Sequence, residues 1–169
     1  EMKLGLISAI LGDLSFEEMI DFLAECGLEC VEVACWPKGK AERRYAGVSH
    51  IDVDTLDDEK CAHILDYCQK KGVEISSLAY YPNTMDPDVE KRTAYIEHLH
   101  KLIDASAKLG VNMITTFIGR DPKKTVSQNL ELVKEIWPPI LDHAKEKGVK
   151  VAIENCPMLF TEDEWPGGQ

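Results

Sequence analysis

GVKVAIEN, residues 148–155, is a glycine followed at once by a short β-rich run, and it decides how this chain is read. Val149, Val151 and Ile153 alternate with Lys150, Ala152 and Glu154, the period of a strand with two different faces. The glycine closes a helix, because it suits the left-handed position at a helix C-terminus and lets the next residue enter a strand. The same junction occurs at Gly27-Leu28, Gly72-Val73 and Gly110-Val111, followed by LECVEVA, VEISSLAYY and VNMITTFI. The four glycines lie 45, 38 and 38 residues apart, the length of a repeated strand–helix unit. Strands alternating with helices of this length imply parallel pairing, with helices covering the sheet.

Outward from these junctions the chain divides into five strands and four helices. KLGLIS (3–8) reads as a first strand, and Ser15 with Glu18 forms a capping box ahead of Phe16, Met19, Ile20 and Leu23. Strand two spans 28–34. A polar stretch, 35–53, leads to a helix over about 55–71 with Cys61, Ile64, Leu65 and Cys68 on one face. Strand three (73–80) ends in the turn signal Tyr80-Tyr81-Pro82-Asn83. A helix over about 88–109 carries Tyr95, Leu99, Leu102, Ile103 and Ser106 in register, and strand four follows at 111–118. The last helix, about 123–147, places Val126, Leu130, Val133, Trp137, Ile140, Leu141 and Ala144 on one stripe. Pro138-Pro139 predicts a kink or two abutting helices there. Strand five is 149–155.

This order fits either an open doubly wound sheet or the first five-eighths of a (β/α)8 barrel. Residues 8–14, SAILGDL, contain no glycine-rich phosphate loop, which lowers the nucleotide-binding reading. Polar residues inside the strands decide between the two. Glu29 and Glu32 lie in strand two and Lys150 in strand five. A doubly wound sheet buries both faces against helices and tolerates few of these. A barrel turns one face into a lumen whose upper layer can be polar. The expectation is therefore α/β, parallel (β/α) repeats, with residues 1–169 as the N-terminal five-eighths of one barrel domain. The complete chain would run to roughly 280–320 residues, and strands one and five would present edges to be paired or covered.

Bulk composition excludes several partners. A net charge of -11 argues against nucleic acid, whose phosphates need clustered Lys and Arg. No run approaches membrane-spanning length, and no N-terminal segment reads as a signal peptide. The six cysteines show no CxxC pair and no zinc-finger spacing, which predicts free, buried thiols in a reducing, cytoplasmic setting.

Glu154 is the first candidate for chemistry, because parallel folds put their functional groups at the C-terminal tips of strands. There a carboxylate can bind a divalent ion, act as a general base, or form an ion pair at the rim. Loop 35–53 is long for a compact domain and holds Trp36, Lys38, Lys40, Arg43, Arg44 and His50 against Glu42 before Asp52. This is a local basic patch in an acidic chain, and Trp36 and His50 suit sugar binding. After strand three come Tyr80, Tyr81 and Asn83; after strand four come Thr115, Thr116, Gly119 and Arg120. Of these, Tyr81, Asn83, Thr116 and Arg120 are candidate substrate contacts, although turn formation and strand propensity account for several. His63, His98, His100 and His143 fall on helices and read as structural. No GxSxG occurs, and Cys156 lines a pocket at most.

AYYPN with DP shortly after (79–83, 86–87), LGVNMITTFIGRD (109–121) and GVKVAIENCPM followed by WPGG (148–158, 165–168) resemble the sugar phosphate isomerase/epimerase family. Those are the xylose-isomerase-like TIM barrels, relatives of the apurinic endonuclease IV fold. The resemblance implies a divalent ion, manganese first with magnesium, cobalt or zinc as alternatives. It would be held by Glu, Asp, His and Glu from strands five to eight. Glu154 matches the first ligand, which in the family is also one of two glutamates that move a proton next to a carbonyl. The other three have no counterpart here. The strand ends AYYPN and TTFIG carry no histidine, against the endonuclease branch's trinuclear zinc site. The implied function is metal-dependent isomerisation or epimerisation of a sugar, keto-sugar, cyclitol or sugar phosphate. The alternatives are a lyase or dehydratase on the same barrel, such as a C-glycoside-cleaving subunit, and a non-catalytic sugar-binding half-barrel that dimerises through its open edge. The expected partner is a small carbohydrate, with neither nucleic acid nor membrane, and a second copy of the chain as a further expectation.

Overall fold

The computed structural model describes residues 2–39 and 46–155. The strands are β1 (Gly5–Ile7), β2 (Cys30–Ala34), β3 (Glu74–Ala79), β4 (Met113–Thr116) and β5 (Lys150–Ile153). Between them run α1 (Phe16–Glu25), α2 (Asp58–Lys71), α3 (Val89–Lys108) and α4 (Val126–Lys147). All strand pairs are parallel and the spatial order is β1-β2-β3-β4-β5. A doubly wound sheet reverses its strand order at a switch point. This one does not, so the described chain is a sector of a barrel with β1 and β5 at its two edges.

The junctions that organised the sequence reading close helices as expected. Gly72 and Gly148 sit at φ 71° and 69° as left-handed caps, and their N–H groups donate back into the last turns of α2 and α4. At the other ends, Ser15 with Glu18 and Thr125 with Gln128 form reciprocal capping boxes on α1 and α4.

The core lies between the sheet and the helices. Val31, Val33, Leu78 and Ile114 from the strands are fully buried against Met19, Leu23, Leu99 and Ile140, among others. A second, smaller cluster of Ala79, Tyr81 and Phe117, with Ile7 and Trp36 against it, sits on the opposite face of the sheet.

Two expectations about α4 need correction. Pro138 and Pro139 lie inside one uninterrupted helix. Each proline removes a hydrogen bond to the carbonyl four residues back. Residues 134, 135, 138 and 139 are all exposed, so water can take those carbonyls while Trp137 and Ile140 hold the buried side. The packed stripe is also rotated from the expected one. Asn129, Trp137, Ile140 and Ala144 are buried, whereas Val126, Leu130 and Leu141 are exposed on its flank. On α2, Leu65 is likewise exposed while Cys61, Ile64 and Cys68 pack.

The five described cysteines are free. Cys35, Cys61 and Cys68 are buried, but Cys26 is exposed and Cys30 half-buried, so burial is not common to them all. Cys26 caps the C-terminus of α1 away from its packed face, and Cys30 faces the lumen side of β2.

Candidate active site

Strand alternation puts one residue in two on the face away from the helices. From β2 that residue is Glu32, from β4 Thr115, and from β5 Ala152 and then Glu154 beyond its end. These line a concavity of about 530 Å³ together with Tyr81, just past β3. The paired positions Ile7↔Glu32, Glu32↔Ser77 and Thr115↔Ala152 place them on neighbouring strands.

A bulge in β3 sets which side chains take part. Val31 pairs with Ile75 but Glu32 pairs with Ser77, leaving Ser76 as the extra residue. Ser76 Oγ donates to the Val31 carbonyl at 3.1 Å. Ile75 and Leu78, three residues apart, therefore both belong to the helix-side core, and Ser77, Ala79 and Tyr81 turn to the lumen face. The Tyr81 hydroxyl donates to Glu32 Oε1 at 2.8 Å, and Ser77 Oγ donates to the same oxygen at 3.5 Å. Ser77 Oγ also lies 3.3 Å from Thr115 Oγ1, so three strands are joined by side-chain polar contacts. Burial pushes the Tyr81 phenol well above its ordinary range. The neighbouring Thr115 hydroxyl opposes this, and the charges of Glu32 and Glu154 add to the upward shift. Tyr81 thus stays a protonated donor.

Glu154 follows β5 with its backbone N–H donating to the Thr116 carbonyl at 3.0 Å, which continues the ladder one residue past the strand. Its side chain is exposed and borders the concavity. Trp36 is half-buried, its ring 5.6 Å from the Tyr81 ring and edge-on to Tyr80 at 5.8 Å, and it does not line the concavity.

Other sequence candidates lie elsewhere. Thr116 is fully buried with its hydroxyl donating to the Phe117 carbonyl at 3.4 Å, and its neighbour Thr115 is the one in the concavity. Asn83 ties the loops after β3 and β4 together. Its amide donates to the Arg120 carbonyl at 2.8 Å, and its Oδ1 accepts from the N–H groups of Arg120 at 2.9 Å and Met85 at 3.2 Å. Arg120 is buried in that loop, outside the lining of the concavity.

His50 closes the long loop onto the exit of β1. Its Nδ1 lies 2.8 Å from Ser8 Oγ, and its Nε2 lies 3.2 and 3.1 Å from the Leu11 and Leu14 carbonyls. The Leu11 and Leu14 carbonyls can only accept, so the imidazole proton sits on Nε2 and Nδ1 accepts from the Ser8 hydroxyl, which itself accepts from the Ala34 N–H. Burial lowers the His50 pKa, with the hydrogen bonds to the Leu11 and Leu14 carbonyls acting in opposition.

The basic patch expected in loop 35–53 is blunted where it is described, because Lys38 pairs with Asp52 at 3.1 Å. Lys40, Glu42, Arg43, Arg44 and Cys156 lie outside the described residues. The helix histidines are held locally. His98 Nε2 lies 2.8 Å from the Cys35 carbonyl, His63 is 2.8 Å from Glu17, and His143 is 2.8 Å from Asp104 with His100 stacked on it.

Glu32, which lines the concavity, and the buried Ser77 hydrogen-bonded to it were not singled out from the sequence. Alternation had put Glu32 opposite Val31 and Val33, and a carboxylate in a buried parallel strand was the available signal. Among the described residues no group of three or more His, Cys, Asp or Glu side chains converges to hold a metal ion. A divalent cation takes four to eight ligands. Glu154 alone among these residues offers an anchor at a strand end, not a complete site.

Residues 20–166 match the family model of the xylose isomerase-like TIM barrel, and the chain belongs to that family. The uncharacterized protein YfiH of Bacillus subtilis (strain 168) is 24% identical over 145 residues, 83% of this chain and 44% of the relative. Among solved structures, D-psicose 3-epimerase with D-tagatose from Clostridium cellulolyticum H10 superposes with a TM-score of 0.69 at 18% identity, over 95% of this chain and 55% of that one. The probable 3-DHS dehydratase AsbF of Bacillus anthracis, involved in petrobactin synthesis, gives 0.69 at 18%, over 92% and 53%. The IolI protein with a bound zinc atom gives 0.63 at 17%, over 90% and 51%. The chain spans less than half the length of the curated relative and about half of these structures. At these identities the structures establish the fold.

Proposed function

We propose that this chain carries the strand-five carboxylate of a sugar isomerase or epimerase, with Glu154 moving the proton next to a carbonyl. The observation that carries this reading is the placement of Glu154 past the end of β5, on the border of the concavity that Glu32 and Tyr81 also line. A carboxylate at the C-terminal end of a parallel strand is where barrel enzymes put proton-transfer groups. The family match and the fold shared with a ketohexose epimerase support the substrate class.

A divalent metal, manganese before zinc, belongs to the proposal. Glu154 would be one ligand, and the rest would come from outside the described residues. When bound, such an ion polarises the substrate carbonyl. The solved relative with bound zinc supports a metal in this fold. Glu154 takes and returns the proton, and the protonated Tyr81 phenol holds Glu32 in place below it. Five free thiols are in keeping with a reducing, cytoplasmic compartment.

Glu154→Gln tests the role, because it keeps size and removes the basic oxygen. Ketose epimerisation should fall about 10²–10⁴-fold with the fold intact, followed by product analysis of a ketohexose panel. Unchanged turnover would refute it. A dehydratase or lyase reading is favoured by the fold shared with the probable dehydratase. Elimination from a 3-keto-sugar, in place of epimerisation, would select it.

A further inference from the structure

We propose that Asn83 is a positioning residue for Glu154, acting through the exit of β4. Its effect on turnover rests on Glu154 being the proton-transfer group.

Asn83 pairs with a single residue of the neighbouring loop. Its Nδ2 donates to the Arg120 carbonyl at 2.8 Å, and its Oδ1 accepts from the Arg120 N–H at 2.9 Å. A side-chain amide thus reproduces the two-bond exchange of a hydrogen-bonded strand pair, which needs a donor and an acceptor on one planar group. The same oxygen accepts from the Met85 N–H at 3.2 Å, so the loop after β3 folds around the amide. The loop after β4 makes room for it. A Cβ on Gly119 would stand 2.4 Å from Asn83 Oδ1, and Gly119 sits at φ 85°, where side chains are disfavoured.

The next residue is held in the same manner from α4. Asn129 accepts from the Asp121 N–H at 2.7 Å and donates to the Asp121 carbonyl at 3.0 Å. Just before Gly119, the Ile118 carbonyl accepts from Thr84 Oγ1 at 2.7 Å and from Trp137 Nε1 at 3.1 Å. Thr84, Arg120, Asp121 and Asn129 are buried. Side chains of the β3 loop and of α4 therefore fix residues 118–121 together.

Glu154 hangs from the strand end that leads into this frame. Thr116 is the last residue of β4 and pairs with Ile153, and its carbonyl accepts the Glu154 N–H at 3.0 Å. Only Phe117 separates that carbonyl residue from Ile118. A shift of the frame is a shift of the group that places Glu154. Loss of the Asn83 amide takes three hydrogen bonds from the junction at once. A proton-transfer group works when its productive geometry is held in advance.

The test is amide hydrogen exchange of the protein, read at Glu154 and at the fully buried Leu102 of α3, with kcat and KM for ketose epimerisation alongside. Asn83→Ala should speed exchange at Glu154 at least about tenfold and leave Leu102 within about twofold. Its kcat should fall about tenfold, with KM within about twofold. Asn83→Asp lacks the donor while ionised and regains it when protonated. Its excess exchange at Glu154 over the unsubstituted protein should therefore shrink as the pH falls from about 7 to about 4. Should Asn83→Ala fail to fold, Asn83→Asp keeps the shape and the accepting oxygen and carries the test alone. Unchanged exchange at Glu154 in a folded variant overturns the inference. So does an equal rise at Leu102, an Asn83→Asp excess that ignores pH, or faster exchange with kcat unchanged. Absence of ketose turnover in the unsubstituted protein strikes the role of Glu154 instead, and the exchange data then decide the coupling by themselves.

Discussion

The two faces of the same five strands differ in kind. Toward the helices stand Val31, Val33, Leu78 and Ile114, each fully buried. Toward the lumen stand Glu32, Ser77, Thr115 and Tyr81, joined by polar side-chain contacts, and Glu32, Thr115 and Tyr81 line a concavity. Alternation along each strand produces both sets from one backbone, so a single residue step separates packing from chemistry. Stability and function should therefore be separable by mutation.

The largest expected effect on folding comes from the helix side. Leu78→Ala should cost about 2–5 kcal/mol, because a fully buried leucine loses both transfer energy and packing. Urea denaturation with an unchanged slope would register it. A loss below about 1 kcal/mol would show that this face is not the stability-bearing one. Glu154→Gln is the counterpart on the lumen side. Its exposed carboxylate should leave the same urea midpoint within about 0.5 kcal/mol while turnover collapses. A parallel loss of stability would dissolve the contrast.

The smallest effect is one of pH. Burial holds the folded pKa of His50 below its unfolded value of about 6.5. The unfolded chain then binds more protons than the folded one once the pH falls below about 6.5, so the stabilising contribution is complete above that pH and is lost below it. His100 shifts in the same direction, chiefly by burial, with His143 adding and Asp104 opposing. His50→Gln should flatten, but not abolish, the fall in stability between pH 7 and pH 5. An unchanged slope in unfolding titrations would mean that burial does not lower the His50 pKa.

Much of the frame was legible because glycine junctions and capping boxes are local signals. Gly72 and Gly148 cap as their sequence context requires, and Ser15 with Glu18 closes as its spacing predicts. The place of Glu154 was legible for the same reason, since it needs only the end of one strand. What stayed hidden depends on registry between strands or on distant partners. Thr115 and Thr116 are adjacent and chemically alike, and only pairing with β5 shows which one faces Ala152. His50 looked like a ligand group because its three partners, Ser8, Leu11 and Leu14, lie far back in the chain. Asn83 looked like a turn former or a substrate contact, and it is a strut between two loops. The exposed carbonyl side of α4 likewise has no signature in Pro138-Pro139 alone.

The bulge at Ser76 carries a consequence for how this site can change over evolutionary time. The phase of everything from Ser77 to Tyr81 is counted from that one extra residue. Because Ser76 is the residue left out of the pairing, its loss would keep Ile75 opposite Val31 and Ser77 opposite Glu32, with Leu78 still toward the helices and Tyr81 still toward the lumen. This is therefore the one described point at which β3 can change length without transposing its exit. Deletion of Ser76 should be milder than deletion of Leu78, as urea denaturation of the two variants would show.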